Sequence, residues 1–390
     1  MKLGAYSLML AVAAANGAFL ALLLVTQSGR HRGSRWLAVL TAGIALRLMP
    51  YILGFAGAYD AYPWLTFAPF DVTLTWGPLL WAYVVVLSTD APPRRWPLHF
   101  IPAAIQFAYQ GVAFMLPPTG KWHWYSGPHL DVIEPIGTVF VLLSLSAYGI
   151  AAYRRYEVWQ VWLDGNLSNR DESRLGWLRL VLAGFALTGA LGALMAAVHW
   201  TITPLDYFAR LPVIVALAIL AYLIALLGYR FGTQAIPMTD SAVENVPVLE
   251  PVADFALLDA EAMSSRPSGK DYSAEAAAWR SRVKAAGWHR DPNLTLARLA
   301  QLLQTSTRSV SRTLNQGRGE SFNDFVNRLR VEEAVTILAR HHAPDVLRVA
   351  FDVGFASKAS FNRAFKRHTG ATPTGIRAQQ CDDASQLPPI

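Results

Sequence analysis

Seven apolar runs crowd the first 230 residues, near 5–26, 35–57, 66–88, 97–116, 131–152, 177–200 and 208–229. Each approaches the ~20 residues that a helix needs to cross a hydrocarbon layer. A water-soluble core cannot enclose so many long apolar helices and still present a charged surface. The chain has 53% hydrophobic and only 16% charged residues, against about a quarter charged in ordinary soluble domains. Residues 1–230 are therefore expected to form a seven-helix transmembrane domain in contact with membrane lipid.

The connections between the runs test that expectation independently. Arg30, Arg32 and Arg35 lie at the first connection, Arg94 and Arg95 at the third, and Arg154, Arg155, Arg170 and Arg174 at the fifth; Arg230 follows the last run. The alternate connections carry only Lys2, Lys121 and Arg210. Lys and Arg accumulate on the cytoplasmic side, so the N-terminus is expected outside and the C-terminal third inside. The rival, a signal peptide cleaved from residues 1–28, is disfavoured by the length of the apolar run and by a lone Lys2 before it.

Charges inside apolar runs are costly unless paired. Arg47 falls near the middle of the second run, Asp71 about five residues from the outer end of the third, and Glu134 at the start of the fifth. With Tyr51 and Trp76 they form a candidate outward-opening pocket for a small-molecule signal. The plainer alternative is an Arg47–Asp71 ion pair holding two helices. His199 ends the sixth run near the outer face. In the expected outer loop KWHWYSGPHLD, His123, His129 and Asp131 match no tight metal spacing, and Trp122, Trp124 and Tyr125 suit an interfacial belt. No metal or cofactor is expected. Pro50, Pro69, Pro78, Pro102 and Pro135 are expected to kink their helices.

The charge changes sign along the chain: net +5 over 1–230, −6 over 231–275 and +8 over 276–390. Residues 231–272 are acidic and Pro-containing, which suits a flexible linker. The lone cysteine, Cys381, rules out an internal disulfide, and 381–390 is expected to be a disordered tail.

From Ser273 the pattern turns soluble and helical. AEAAAWRSRVKAAG predicts a helix ended near Gly287. DPNLTLARLAQLL predicts a second, capped by Thr295, with leucines at helical spacing. After a short turn, STRSVSRTLNQ predicts a third, with Val310 and Leu314 inward and Thr307, Arg308, Ser311 and Arg312 outward. Two short helices joined by a tight turn, the second basic on its outer face, is the helix-turn-helix arrangement. It returns 51 residues later: Ser306, Ser309, Val310, Arg312 and Leu314 align with Ser357, Ser360, Phe361, Arg363 and Phe365. There DVLRVAFDV is the supporting helix, Gly354 frees the turn, and SKASFNRAFKRH carries Lys358, Ala359, Asn362, Arg363, Lys366 and Arg367. A helix of roughly 17 residues, about 25 Å long, separates the copies. It can set two such helices in successive major-groove segments ~34 Å apart.

Leu299-Ala300, Ser306, Ser311-Arg312, Phe322, Arg330, Ala334, Ala350, Val353-Gly354-Phe355, Ser360-Phe361, Arg363, Phe365-Lys366, Gly370, Thr372-Pro373 and Arg377 together resemble the AraC family of bacterial transcription regulators. The resemblance covers nearly all of 276–380 and extends to family members with several N-terminal spans. It implies an all-α chain: a seven-helix transmembrane domain joined by a flexible linker to a double helix-turn-helix domain over 273–380 that grips double-stranded DNA. Two departures stand out. Ile376 occupies a usually aromatic site, and Leu314-Asn315-Gln316 replaces a common Phe-Lys.

Helix geometry gives the roles. Arg can read guanine, Asn adenine, and the Ala359 methyl thymine. Arg330, Arg367 and Arg377 suit phosphate contact or core support. The alternative for any one of them is a solvated charge and, for Arg363, an ion pair with Asp352. The leading expectation is a one-component, non-enzymatic transcription regulator in a bacterial inner membrane, with a second copy of the chain in a homodimer and RNA polymerase as candidate partners, and the oligomeric state left open. A transporter carrying its own regulator, or a mere membrane anchor, are the alternatives. The loop 153–176, with Trp159, Trp162 and Trp177, is where the membrane part is expected to touch the DNA domain. No phosphate-binding Gly loop, GxSxG or HExxH motif is present.

Overall fold

A computed structural model describes residues 4–27, 33–168, 173–205, 208–231, 271–339 and 345–377. The expected linker and tail, Cys381, and the connection arginines Arg30, Arg32 and Arg170 lie outside these, except for the linker's first residue and its last two. Every regular element among the described residues is helical. The chain divides into two compact units, Met1–Glu157 with Arg174–Ala253, and Val158–Ser173 with Asp254–Ile390.

The first unit contains α1 (Ala5–Gln27), α2 (Gly33–Arg47), α3 (Met49–Phe55), α4 (Ala58–Ala61), α5 (Trp76–Thr89), α6 (Ile101–Phe114), α7 (Pro118–Trp124), the N-terminal part of α8 (Glu134–Asn166), α9 (Ser173–Thr201) and α10 (Leu211–Phe231). Helices α1, α2, α5 and α10 form its centre. A helix apolar on all sides is one that is buried on all sides, and Trp76 to Ser88 of α5 are all buried. At Gly228 a Cβ would collide with the Leu37 side chain, so a glycine there lets α10 press against α2, as small residues do between helices in lipid. The outer surface is apolar too. Leu8, Val12, Phe19 and Leu22 of α1, Phe140 and Leu143 of α8, and Leu187 and Leu194 of α9 are exposed.

Five helical stretches are long and apolar enough to cross a membrane: Ala5–Thr26, Gly33–Phe55, Pro118–Asn166, Leu175–Thr201 and Leu211–Phe231. The third and fourth expected runs are shorter as helices. Residues 66–72 are irregular and Phe67 has φ 65°, because Pro63 and Pro69 remove backbone donors and Asp71 Oδ1 captures the Thr73 amide at 3.1 Å. Each short helix has a 3-10 lead-in, Thr73–Thr75 before α5 and Trp96–Phe100 before α6. At ~2.0 Å per 3-10 residue and ~1.5 Å per α residue, these segments reach about 27 Å and about 31 Å.

Two sequence expectations are corrected. The stretch expected as an outer loop, 121–131, is helical: α7 leads through a π-helical segment, Tyr125–Ile133, directly into α8. The wider π turn accommodates Pro128, and Trp122, Tyr125 and His129 stack along it at 6.1 Å and 5.6 Å. The prolines are not general kinks. Pro50 marks the break between α2 and α3. Pro78 and Pro102 occupy first turns, where the missing N–H costs little, Pro135 follows the π-helical segment within the continuous stretch into α8, and Pro69 is outside any helix.

In the second unit, α11 (Tyr272–Ala285), α12 (Leu296–Leu303), α13 (Thr307–Arg318), α14 (Phe322–Leu338), α15 (Val346–Asp352) and α16 (Lys358–Thr369) follow in order, with a last turn over 373–377. The 17-residue α14 serves two cores. Phe322, Phe325, Val326 and Leu329 join the first with α11 to α13. Val331, Ala334 and Leu338 join the second with α15, α16 and Ile376. Ile376, the departure from the aromatic pattern, packs half-buried against the second core.

Candidate nucleic-acid interface

Each helix-turn-helix copy is built by its caps. Thr295 accepts from the Arg298 amide to start α12, and Ser306 accepts from the Ser309 amide to start α13. In the second copy Asp345 starts α15 and Ser357, accepting from the Ser360 amide, starts α16. Ser306 and Ser357 thus do the same work 51 residues apart, satisfying a helix-end donor that has no partner within the helix. The first turn uses Gln304 at φ 58°; the second uses Gly354 at φ 99°. A Cβ on Gly354 would lie 2.5 Å from the Arg290 carbonyl oxygen, so the second turn is pressed against the first half.

Buried Val310 and Leu314 hold α13 and buried Phe361 and Phe365 hold α16. The opposite faces carry the sequence-predicted residues. Thr307, Arg308 and Arg312 are exposed on α13, with Ser311 half-buried beside Asn315. Lys358, Ala359, Asn362, Arg363, Lys366 and Arg367 are exposed on α16. Asp352 lies 3.9 Å from Arg348. Arg367 reaches Asp324 at 2.9 Å, tying α16 to the connecting helix α14. Just before the start of that helix Glu320 meets Arg328 at 2.8 Å and Arg318 at 3.3 Å, and burial pushes its carboxyl above the usual range despite them.

Arg330 is a joint rather than a surface cation. It is fully buried, and its Nε donates to the His289 carbonyl at 2.7 Å while Nη2 donates to the Asp291 carbonyl at 2.8 Å. Its guanidinium carbon lies 5.5 Å from the Phe355 ring in the second half. Burial pushes its pKa down to about 9. Nearby, His289 and Arg290 both grip Glu333, the former at 2.7 Å. Burial raises the Glu333 carboxyl, but these hydrogen bonds outweigh it and hold it low. No sequence signal pointed to His289 and Glu333, because each is an ordinary polar residue until α14 brings the two together.

The candidate pocket in the first unit is assembled in part. Arg47 Nε lies 3.7 Å from Asp71 Oδ1 and its guanidinium 5.2 Å from the Tyr51 ring. Gln110 braces Asp71 at both its backbone N–H (3.1 Å) and its carbonyl (2.6 Å). Glu134 pairs instead with Arg210 at 2.9 Å, and buried Trp76 abuts Gly43 of α2. Tyr59 lies near Arg47, Tyr125 near Glu134 and Arg210, and His129 near Glu134 and Asp71. His129 is held by the Tyr109 hydroxyl at 2.8 Å and by the Phe67 ring, and no cluster of three metal-ligating side chains occurs among the described residues.

Residues 299–379 match the family described as a helix-turn-helix domain. Similar curated proteins include the HTH-type transcriptional regulator RipA of Corynebacterium diphtheriae, 35% identical over 24% of this chain and 28% of its own length. RipA of Corynebacterium glutamicum is 39% identical over 22% of this chain and 25% of its own. The HTH-type transcriptional activator RhaS of Escherichia fergusonii is 37% identical over 22% and 30%. The chain thus spans less than a third of each of these relatives. A solved C-terminal domain of AraT, a response regulator from Geobacillus stearothermophilus, is 28% identical over 30% of this chain and 88% of its own, with a TM-score of 0.24. The C-terminal part of this chain is a helix-turn-helix domain of the kind found in HTH-type transcriptional regulators.

Proposed function

We propose that the chain is a membrane-bound, one-component transcription regulator of AraC type. It binds double-stranded DNA through α13 and α16 under the control of a small molecule met by the membrane part. The observation that carries this reading is the paired, serine-capped helices with basic outer faces, on a chain that also has five membrane-length apolar helices. Bases are read by Arg308 and Arg312 and by Lys358, Asn362 and Arg363; Ala359 meets a thymine methyl, and Thr307, Ser311, Lys366 and Arg367 hold backbone.

The distribution of charges in the first unit supports a spanning orientation. Glu134 and Arg210 pair near one end of α8, while Arg155 donates to Ser88 at 2.9 Å further along it. From Glu134 to Arg155 along α8 is about 32 Å, close to a ~30 Å hydrocarbon core. Arg35 near the start of α2 and Arg94 and Arg95 after α5 lie toward the Ser88 end of α5 that Arg155 meets, which supports reading that side as cytoplasmic. The signal site is the group around Arg47, Tyr51, Asp71, Trp76 and Glu134, where His129 lies near the acids of both ion pairs. An inert anchor has no need of such a group.

The test is genome-wide occupancy of the full-length protein beside its Arg363→Ala form. Sharp sites lost in the variant, with membrane insertion unchanged, are expected. Equal occupancy by both would defeat the proposal. Uptake by vesicles that is lost on Asp71→Asn would favour a transporter instead.

A further inference from the structure

The two residues just past the end of α8 are built into the second unit. Leu167 forms an antiparallel bridge with Thr295, the cap of α12. The Ser168 amide donates to the Leu294 carbonyl at 3.2 Å. The Ser168 carbonyl accepts from Arg330 Nη1 and from Asn323 Nδ2, both at 3.2 Å, and its hydroxyl accepts from Arg330 Nη2 at 3.1 Å. Asn323 Nδ2 also donates to the Leu167 carbonyl at 2.9 Å. Ser168 is 1% exposed.

A guanidinium has five N–H donors, and two of those on Arg330 are met by Ser168. The others go to His289, Asp291 and Asn327. Arg330 lies where the two helix-turn-helix halves meet, touching His289 and Asp291 of one and Phe355 of the other. Withdrawing Ser168 leaves a buried cation short of acceptors, which is unfavourable, and the joint must rearrange or admit water.

We propose that Arg330, Asn323 and the Leu294–Thr295 backbone form an intramolecular docking surface whose occupant is Leu167–Ser168, and that this clasp keeps the two halves of the DNA-binding domain in register. Helix α8 contributes its residues up to Glu157 to the first unit and those from Val158 to the second. It is therefore a direct covalent route from the Glu134 end to the joint, separate from the linker. The clasped state is the DNA-competent one. Two helices at a fixed spacing engage successive grooves together, and loosening the joint forfeits the advantage of simultaneous engagement.

The inference rests on the DNA-binding reading, and its test separates the two. The full-length chain with Cys381→Ser is reconstituted in nanodiscs and titrated with a fragment recovered from the occupancy map. Binding by this parent establishes the reading, and its failure there would sink both. Adding Ser168→Gly and Asn323→Ala is expected to weaken binding at least tenfold with helix content unchanged. Leu167→Cys with Thr295→Cys, added to Asn323→Ala, allows a rescue. Bridged residues of the non-hydrogen-bonded type lie ~4.5 Å apart at Cα, within disulfide range. Oxidation is expected to restore affinity relative to the reduced form of the same chain. Unweakened binding by the unclasped variant, or a cross-link that forms without restoring affinity, would overturn the proposal.

Discussion

At Gly354 both backbone and space exclude a side chain: φ is 99° and the Arg290 carbonyl stands where a Cβ would go. Gly354→Ala is therefore expected to cost more than the ~1–3 kcal/mol of an unfavourable backbone region alone, read as a lower melting temperature of the C-terminal transition. Glu333 gives a pH-dependent case. Its carboxyl is held low in the folded protein by Arg290 and His289. Its stabilisation is thus fully present above the ordinary carboxyl pKa of ~4.3, and is lost as pH falls through the lowered folded value. Thermal melts should show Glu333→Gln less stable than the parent at pH 7, with the gap closing below about pH 4. A gap independent of pH would assign the effect to packing. Arg363 is exposed on α16, and its loss is expected to cost about 1–3 kcal/mol in DNA affinity, as loss of a guanine contact does.

At the scale of elements, α13 and α16 are both short and both begin at a serine that accepts from the amide three residues on. Ser306→Ala and Ser357→Ala are each expected to cost ~1 kcal/mol, measurable as a lower denaturation midpoint of the C-terminal transition. If only one matters, the copies are not equivalent in stability. Helix α14 was legible as a spacer of 17 residues because its two apolar groups keep helical spacing. That it divides its faces between two cores was not legible, and for Arg330 the sequence left phosphate contact and core support both open, because a lone Arg in a helical pattern looks the same at a surface. The first unit shows the converse. Runs 66–88 and 97–116 looked like uninterrupted spans by hydropathy, yet Pro63, Pro69, Pro97 and Pro102 push the helix starts inward, because proline supplies no N–H and favours first turns.

For the whole molecule, the proposed orientation has a direct check. In the Cys381→Ser chain, a cysteine at Arg95 should react with an impermeant thiol reagent only from the cytoplasmic side. A cysteine at Trp122, 68% exposed, should react only from outside. Reaction of both from the same side would refute the spanning arrangement.

The sequence by itself determined that the regular elements of the described residues are helical, that its first 230 residues carry long apolar runs, and that its last hundred repeat a capped helix-turn-helix pattern. These are local matters of periodicity, composition and caps, repeated often enough to outvote any single residue. It also offered Arg47 and Asp71 as candidates for a pair by depth, and the two lie 3.7 Å apart although Asp71 falls in an irregular segment rather than a helix. Only the tertiary structure decided that Glu134 pairs with Arg210, that His289 and Arg290 share Glu333, and that Leu167 and Ser168 close onto Asn323 and Arg330. Partners such as Ser168 and Arg330 stand 162 residues apart. Hydrogen-bond partners at that separation leave no periodic trace, because neither residue differs in type from one that meets water.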